Sequence, residues 1–234
     1  MALARVLLVG GSPQPSRPAL VRGLARACDV VVAVDRGLDA LLAAGLGCDL
    51  FCGDADSVSR PGAELVRAAE ERGGVPGDPR GAAGERGGDS VGEVERYDPH
   101  KDFTDLALAL RAVSERWPHA AVVCTCLSGG RPDHMLAVLG RLAGWDGPVE
   151  IEEDGFSARI LRVGESWTLA ARVGARFSFV PLSGVARVSE SGMRWTLDGA
   201  RVPLLSDLGV SNVIEDGAAR ISCSEGALAA WCFK

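Results

Sequence analysis

Hydrophobic and polar positions follow two rhythms along the chain. Up to about residue 150, short apolar runs at Val6–Val9, Val30–Val34, Asp49–Cys52, Val94–Tyr97 and Ala121–Leu127 have strand length. Several are rich in valine, as strands covered on both faces require. Helical patterns lie between them. Pro18–Cys28 and Leu38–Ala44 are rich in Ala and Leu, and Glu64–Arg72 is mixed. In Phe103–Arg116 the apolar Leu106, Leu110 and Val113 recur at the four- and three-residue steps of one helix face. This alternation predicts an α/β domain with a mainly parallel sheet. Beyond residue 150 the segments Arg159–Val163, Ser166–Ala170, Arg176–Val180, Ala186–Ser189, Arg194–Leu197, Ala219–Ser224 and Ala227–Phe233 alternate with Gly, Ser, Asp and Pro. They predict an all-β domain, sandwich or barrel-like. The expected organisation is therefore residues 1–150, α/β, followed by 151–234, β-rich.

The stretch 73–92, "GGVPGDPRGAAGERGGDSVG", breaks the first rhythm. With almost nothing to bury, it reads as an exposed mobile loop. It lacks the Gly-Lys-Ser/Thr ending of a phosphate-binding P-loop. Neither half contains an internal repeat.

Charge and cysteine content narrow the function classes. A formal net charge of -6 and the absence of any Lys/Arg run exclude a basic field for nucleic acid or an anionic membrane surface. The seven cysteines, Cys28, Cys48, Cys52, Cys124, Cys126, Cys223 and Cys232, mostly sit inside apolar runs without paired metal-ligand spacing. They read as reduced core residues of a cytoplasmic protein. The opening "MALARVLLVGGSP" is too short in its apolar run for a spanning helix and lacks a signal peptide's basic start, so a first strand is expected.

Four polar clusters follow predicted strands: "VDRG" at 34–37, "GDADS" at 53–57, "HKDFTD" at 100–105 and "GGRPDH" at 129–134. Ligands of open α/β sheets bind beyond the carboxyl ends of the strands, where these clusters fall. Asp102 stands where a helix N-cap is expected, with Asp105 three residues later. Gly129 and Gly130 permit a tight turn, Pro132 suits a first helical position, and Asp133 then lies in the first turn. Taken singly, each aspartate has an ordinary role as cap or turn residue. Together Asp35, Asp54, Asp56, Asp102, Asp105 and Asp133 would converge on one sheet edge, where a pair of bare carboxylates ~4 Å apart repels by about 4 kcal/mol at an effective dielectric of about 20. A cation must offset them, and oxygen-rich sets suit Mg²⁺. Arg131 and Lys101 can neutralise phosphate oxygens, or can be solvated surface charges.

At these residues the sequence resembles a known family. "VDRG", "GDADS", "KDFTDLALAL" and "GGRPDHMLA", in this order, look like the ordered motifs of thiamine pyrophosphokinases. The tail "GMRWTL", "LGVSNVIEDGAARIS" and "GALAAW" is similar to that family's thiamine-binding domain, so the resemblance spans most of the chain. It departs at the glycine-rich stretch between the second and third motifs. It departs again at Ala55, where the family commonly has Phe; both aspartates are kept but a packing ring is removed.

The resemblance implies Mg²⁺-dependent transfer of a pyrophosphoryl group from ATP, the co-substrate, to the hydroxyl of thiamine, giving thiamine diphosphate and AMP. It implies Asp54, Asp56, Asp105 and Asp133 as catalytic, with Asp54, Asp56 and Asp133 holding metal. Asp35, Arg36, Lys101, Asp102, Thr104 and Arg131 would bind ATP, and Ser211 and Asn212 the aminopyrimidine of thiamine. It also implies a homodimer with the active site at the subunit interface. Trp195 is either a stacking surface for thiamine or, as an aromatic in an alternating segment, a core residue. His134 reads as an ordinary helix residue and His100 as a loop residue. Other readings are a pyrophosphokinase for another hydroxymethyl acceptor such as a pterin, a nucleotide or thiamine sensor without turnover, and a protein whose aspartates only cap and turn.

Overall fold

In the computed structural model, which describes residues 3–73, 90–98, 102–170 and 172–234, the chain divides into two compact units. One comprises Met1–Val138 with Trp145–Pro148, the other Leu139–Gly144 with Val149–Lys234. Most of the glycine-rich stretch expected to be a mobile loop lies outside the described residues, as do Lys101 and His100.

In the first unit the valine-rich runs become β1 (Arg5–Val9), β2 (Val30–Val34) and β3 (Cys48–Gly53), joined by β4 (Val91–Arg96) and β5 (Ala121–Thr125). They pair in parallel in the order β5-β1-β2-β3-β4. The helices are α1 (Pro18–Arg26), α2 (Gly37–Ala43), α3 (Arg60–Glu71), α4 (Asp105–Arg116) and α5 (Pro132–Ala143). Alternate strand residues Leu7, Val9, Val31, Ala33 and Phe51 share one core with Val21 and Ala25 of α1, Leu38 and Leu41 of α2, and Val66 and Ala69 of α3. Each such large side chain stabilises the unit by about 1.5–3 kcal/mol. The remaining strand residues, among them Leu8, Val32 and Leu50, are equally buried, which is why these runs are apolar throughout. Helix α4 packs on β2 and β3 through the expected face of Leu106, Leu110 and Val113.

Three expectations on this unit are corrected. The fourth strand begins at Val91 rather than Val94, because Glu93 and Glu95 are taken up by Arg116 of α4 and so tolerate a strand. The fifth strand ends at Thr125, since Cys126 turns out at a φ of 56°. The cap of α4 is Thr104, whose hydroxyl accepts from Ala107 N at 3.3 Å, and not Asp102.

Apart from the last residues of α5, Leu139–Ala143, the second unit is antiparallel β. Strands β6 (Val149–Glu152), β7 (Phe156–Arg162), β9 (Arg176–Pro181), β12 (Asn212–Val213) and β14 (Ala227–Phe233) pair in the order β12-β9-β14-β7-β6. A second sheet runs β11-β10-β13-β8, formed by β8 (Ser166–Ala170), β10 (Val185–Ser191), β11 (Leu197–Pro203) and β13 (Ala218–Glu225). Inward residues of both, including Leu161, Phe177, Phe179, Leu228, Val188, Val202 and Ile221, form one core, so the unit is a sandwich. The strand expected at Arg194–Leu197 starts only at Leu197. Arg194–Thr196 form the turn before it, and Trp195 is 58% exposed rather than packed in the core.

Candidate active site

The order β5-β1-β2-β3-β4 contains a topological switch. From β1 the chain steps outward through β2, β3 and β4, then returns to the other side of β1 as β5. Such a reversal parts the connecting loops and opens a crevice at the strands' carboxyl ends. A cleft of 510 Å³ lies there, lined by Gly10–Pro13 after β1, Asp35 after β2, Thr104 and Asp105 at the start of α4, and Gly129–Arg131 with His134 after β5. Ser12 ties its walls together: its amide donates to Cys126 O at 2.9 Å and its hydroxyl to Ser128 O at 2.5 Å. A Cβ at Gly10 would stand 2.8 Å from Cys126 O, so only glycine lets the two loops approach this closely.

Beside the cleft, the ends of β2 and β3 bring Asp35, Asp54 and Asp56 together, with carboxylate oxygens within 4.8 Å of one another. The backbone is unusual here: Asp35 has a φ of 48° and Ala55 a φ of 59°, left-handed conformations disfavoured for residues with a Cβ. Gly53 makes room for Asp35, because a Cβ there would lie 3.2 Å from Asp35 Oδ1. The Ser57 hydroxyl donates to Asp35 Oδ2, whereas the buried Asp35 Oδ1 accepts no hydrogen bond from the described residues. Burial pushes the Asp35 carboxyl above its usual range. Hydrogen bonds from Ser57 and the Arg36 amide oppose this, and the charges of Asp105 and Asp54 add to it. The Asp56 carboxyl is also raised, by its hydrogen bond and repulsion with Asp54 and by the more distant Asp35 and Asp105. Crowded carboxylates, two of them raised above their usual range, all oxygen donors with one buried oxygen that no described group donates to, fit a hard divalent cation.

In the second unit Ser211, at a φ of 67°, donates its amide to Ser178 Oγ at 3.0 Å. The buried Asn212 holds the turn that carries Trp195. Its Oδ1 accepts from Trp195 N at 3.2 Å, and its Nδ2 donates to Trp195 O at 2.7 Å. Trp195 thus presents an exposed ring from a turn fixed by Asn212, with the Arg194 guanidinium 5.7 Å from the ring centre.

Residues 168–228, within this β unit, match the family model "Thiamin pyrophosphokinase, vitamin B1 binding domain". Among solved structures, a thiamin pyrophosphokinase family protein from Enterococcus faecalis is 25% identical, with 99% of each chain covered and a TM-score of 0.73. The chain thus resembles thiamin pyrophosphokinases over its whole length, and its β unit matches their vitamin B1-binding domain. The thiamine pyrophosphokinase of Bacillus subtilis shares the fold at 22% identity, covering 98% of this chain and 99% of that one, with a TM-score of 0.73. The thiamin pyrophosphokinase of Candida albicans does so at 13%, covering 99% and 90%, with a TM-score of 0.75. No curated protein matches the chain by sequence.

Within this thiamin pyrophosphokinase-like fold, the residues singled out in the sequence fall into three groups. Asp54 and Asp56 meet Asp35, and Asp105 stands at the start of α4 within the cleft lining. Asp133 lies apart from the trio in an ion pair with Arg131, Nε to Oδ1 at 3.1 Å, which holds its carboxyl down at about 2. Thr104 and Arg131 line the cleft, while Arg36 and Asp102 are exposed at its neighbouring loops. Lys101 lies outside the described residues. His134, read as an ordinary helix residue, also lines the cleft. Sequence reasoning passed over the Gly10–Ser12 loop, the Ser57 contact to Asp35 and the buried Glu190. The glycine pair after a first valine-rich strand was the available signal for the loop; the other two depend on contacts between distant residues.

Proposed function

We propose that the chain is a thiamine pyrophosphokinase, transferring the β,γ-pyrophosphoryl group of ATP to the hydroxyl of thiamine. The observation that carries this reading is the Asp35–Asp54–Asp56 trio, with oxygens within 4.8 Å, beside a switch-point cleft. Its support is that the other unit of the chain matches a vitamin B1-binding domain. In the reaction the hydroxyl oxygen forms a bond to the β-phosphorus, the bond from that phosphorus to the α,β-bridging oxygen breaks, and AMP leaves. The hydroxyl proton passes to a carboxylate, and the acidic group around Asp54, Asp56 and Asp105 is where one is available. Mg²⁺, held by Asp54 and Asp56 with Asp35, would supply neutralisation of the triphosphate charge.

The chain's own residues do the positioning. Glycine-lined walls at Gly10–Gly11 and Gly129–Gly130 let backbone amides approach a triphosphate, and Arg131 can exchange its Asp133 partner for phosphate oxygens. The exposed Trp195 ring offers a face for the cationic thiamine ring system beside Ser211 and Asn212. The exposed Leu204, Leu205, Leu208 and Val210 give the β unit an apolar face. This face supports a homodimer with the active site at the subunit interface. A cytoplasmic location accords with seven cysteines that are all buried as thiols.

The test is product analysis with ATP, Mg²⁺ and thiamine. Wild-type protein is expected to form thiamine diphosphate, and Asp54→Asn or Asp56→Asn to lower turnover at least about 100-fold while the protein remains folded. Turnover near wild type in both variants would overturn the assignment, and product only with a pterin alcohol would change the acceptor.

A further inference from the structure

The loop that carries Asp54 and Asp56 is held from an element outside the acidic motif. Gly53 pairs with Arg96 in the parallel β3–β4 ladder, and the Tyr97 amide donates to Gly53 O at 3.1 Å. One residue on, the Arg96 guanidinium takes over. Its Nη2 donates to Asp54 O at 3.0 Å, while its Nη1 donates to both oxygens of Glu70 on α3, at 3.1 and 3.2 Å. Two successive carbonyls entering the loop are thus fixed by the end of β4. Immediately beyond them Ala55 adopts its left-handed conformation, and the Asp56 amide turns back onto Asp54 Oδ1 at 3.2 Å.

We propose that Arg96, aimed by Glu70, is a positioning residue that presets the Asp54–Asp56 loop for a divalent cation. The inference rests on the reading of that loop as a metal site. An arginine suits the task because its planar fork addresses a carboxylate and a carbonyl at once, which the single ammonium of lysine does not. The pair is half-exposed, with the Arg96 side chain 48% and that of Glu70 35% accessible, so as a surface ion pair it contributes little to stability. Its effect is geometric: it fixes the carbonyl whose own side chain is the ligand, before an unfavourable backbone turn that the sequence does not relieve with glycine.

Geometry and charge give opposite expectations, which makes the inference testable. A positive group near a cation site opposes binding, so removing Arg96 by electrostatics alone tightens Mn²⁺. Removing a positioning group loosens it. The experiment is Mn²⁺ binding to the full chain without nucleotide, read by electron paramagnetic resonance of free Mn²⁺, in wild type, Asp54→Asn, Arg96→Met, Arg96→Lys and Glu70→Gln. Asp54→Asn is expected to remove the site. Arg96→Met is expected to weaken Mn²⁺ about 10-fold or more, and Arg96→Lys and Glu70→Gln by several-fold, with unchanged circular dichroism. If Arg96→Met disturbs folding, Arg96→Lys and Glu70→Gln carry the test. Unchanged or tighter Mn²⁺ in the Arg96 and Glu70 variants, with Asp54→Asn still deficient, overturns the positioning role alone. Unchanged Mn²⁺ in Asp54→Asn overturns the metal site itself, and the inference with it.

Discussion

Glu190 is 3% exposed, its Oε1 accepts no hydrogen bond from the described residues, and burial pushes its carboxyl up to about 7, with Asn212 the neighbour that favours the charged form. An acid whose pKa is raised on folding favours the folded state fully below its unfolded pKa near 4.5, and loses that contribution as pH rises to about 7. A Glu190→Gln variant removes the slope, so it is expected to gain up to about 3 kcal/mol on wild type between pH 5 and pH 8. Denaturant melts across that window check it; parallel pH profiles for the two proteins would refute it. The sequence shows Glu190 only as a charge in a strand of alternating residues, and its burial is a property of the fold. The aspartates were more legible, because each follows an apolar run and so must lie at a strand's end. Which of them meet was not: Asp35 joins Asp54 and Asp56 through β2–β3 pairing, while Asp133 is drawn to Arg131 two residues away. Of the two readings of Trp195, the core one fails for a related reason. Its alternating neighbours suggest a strand, but the side chain of Asn212, seventeen residues on, holds Trp195 in a turn.

At the scale of elements, packing decides which glycines matter. A Cβ at Gly37 would lie 1.8 Å from Val9 O, a backbone atom, so α2 can start against the end of β1 only with glycine there. Gly37→Ala is expected to destabilise by about 1–3 kcal/mol, as other overpacked sites do. Gly140 in α5 has no described atom within 4 Å of its missing Cβ, and Gly140→Ala is expected to stabilise by about 1 kcal/mol. Urea melts of the pair measure both, and a neutral Gly37→Ala would contradict the packing argument. Strands buried on both faces and the amphipathic α4 were readable from periodicity alone. The edge strand β4 was read short because its glutamates look like loop residues until Arg116 is placed over them.

At the scale of the whole molecule, the switch in strand order creates the cleft, and the second unit carries the vitamin B1-binding match. The sequence indicates an α/β half followed by a β half through its change of rhythm near residue 150, and both architectures are present. The account's central claim is that one intact pyrophosphoryl group moves from ATP to thiamine. The most direct measurement uses ATP labelled at the β-phosphorus, with Mg²⁺ and thiamine, and follows where the label goes. The expected result is labelled thiamine diphosphate and AMP in equal amounts, with neither formed when thiamine is omitted. Label appearing in ADP or in inorganic phosphate, with thiamine unchanged, would contradict it.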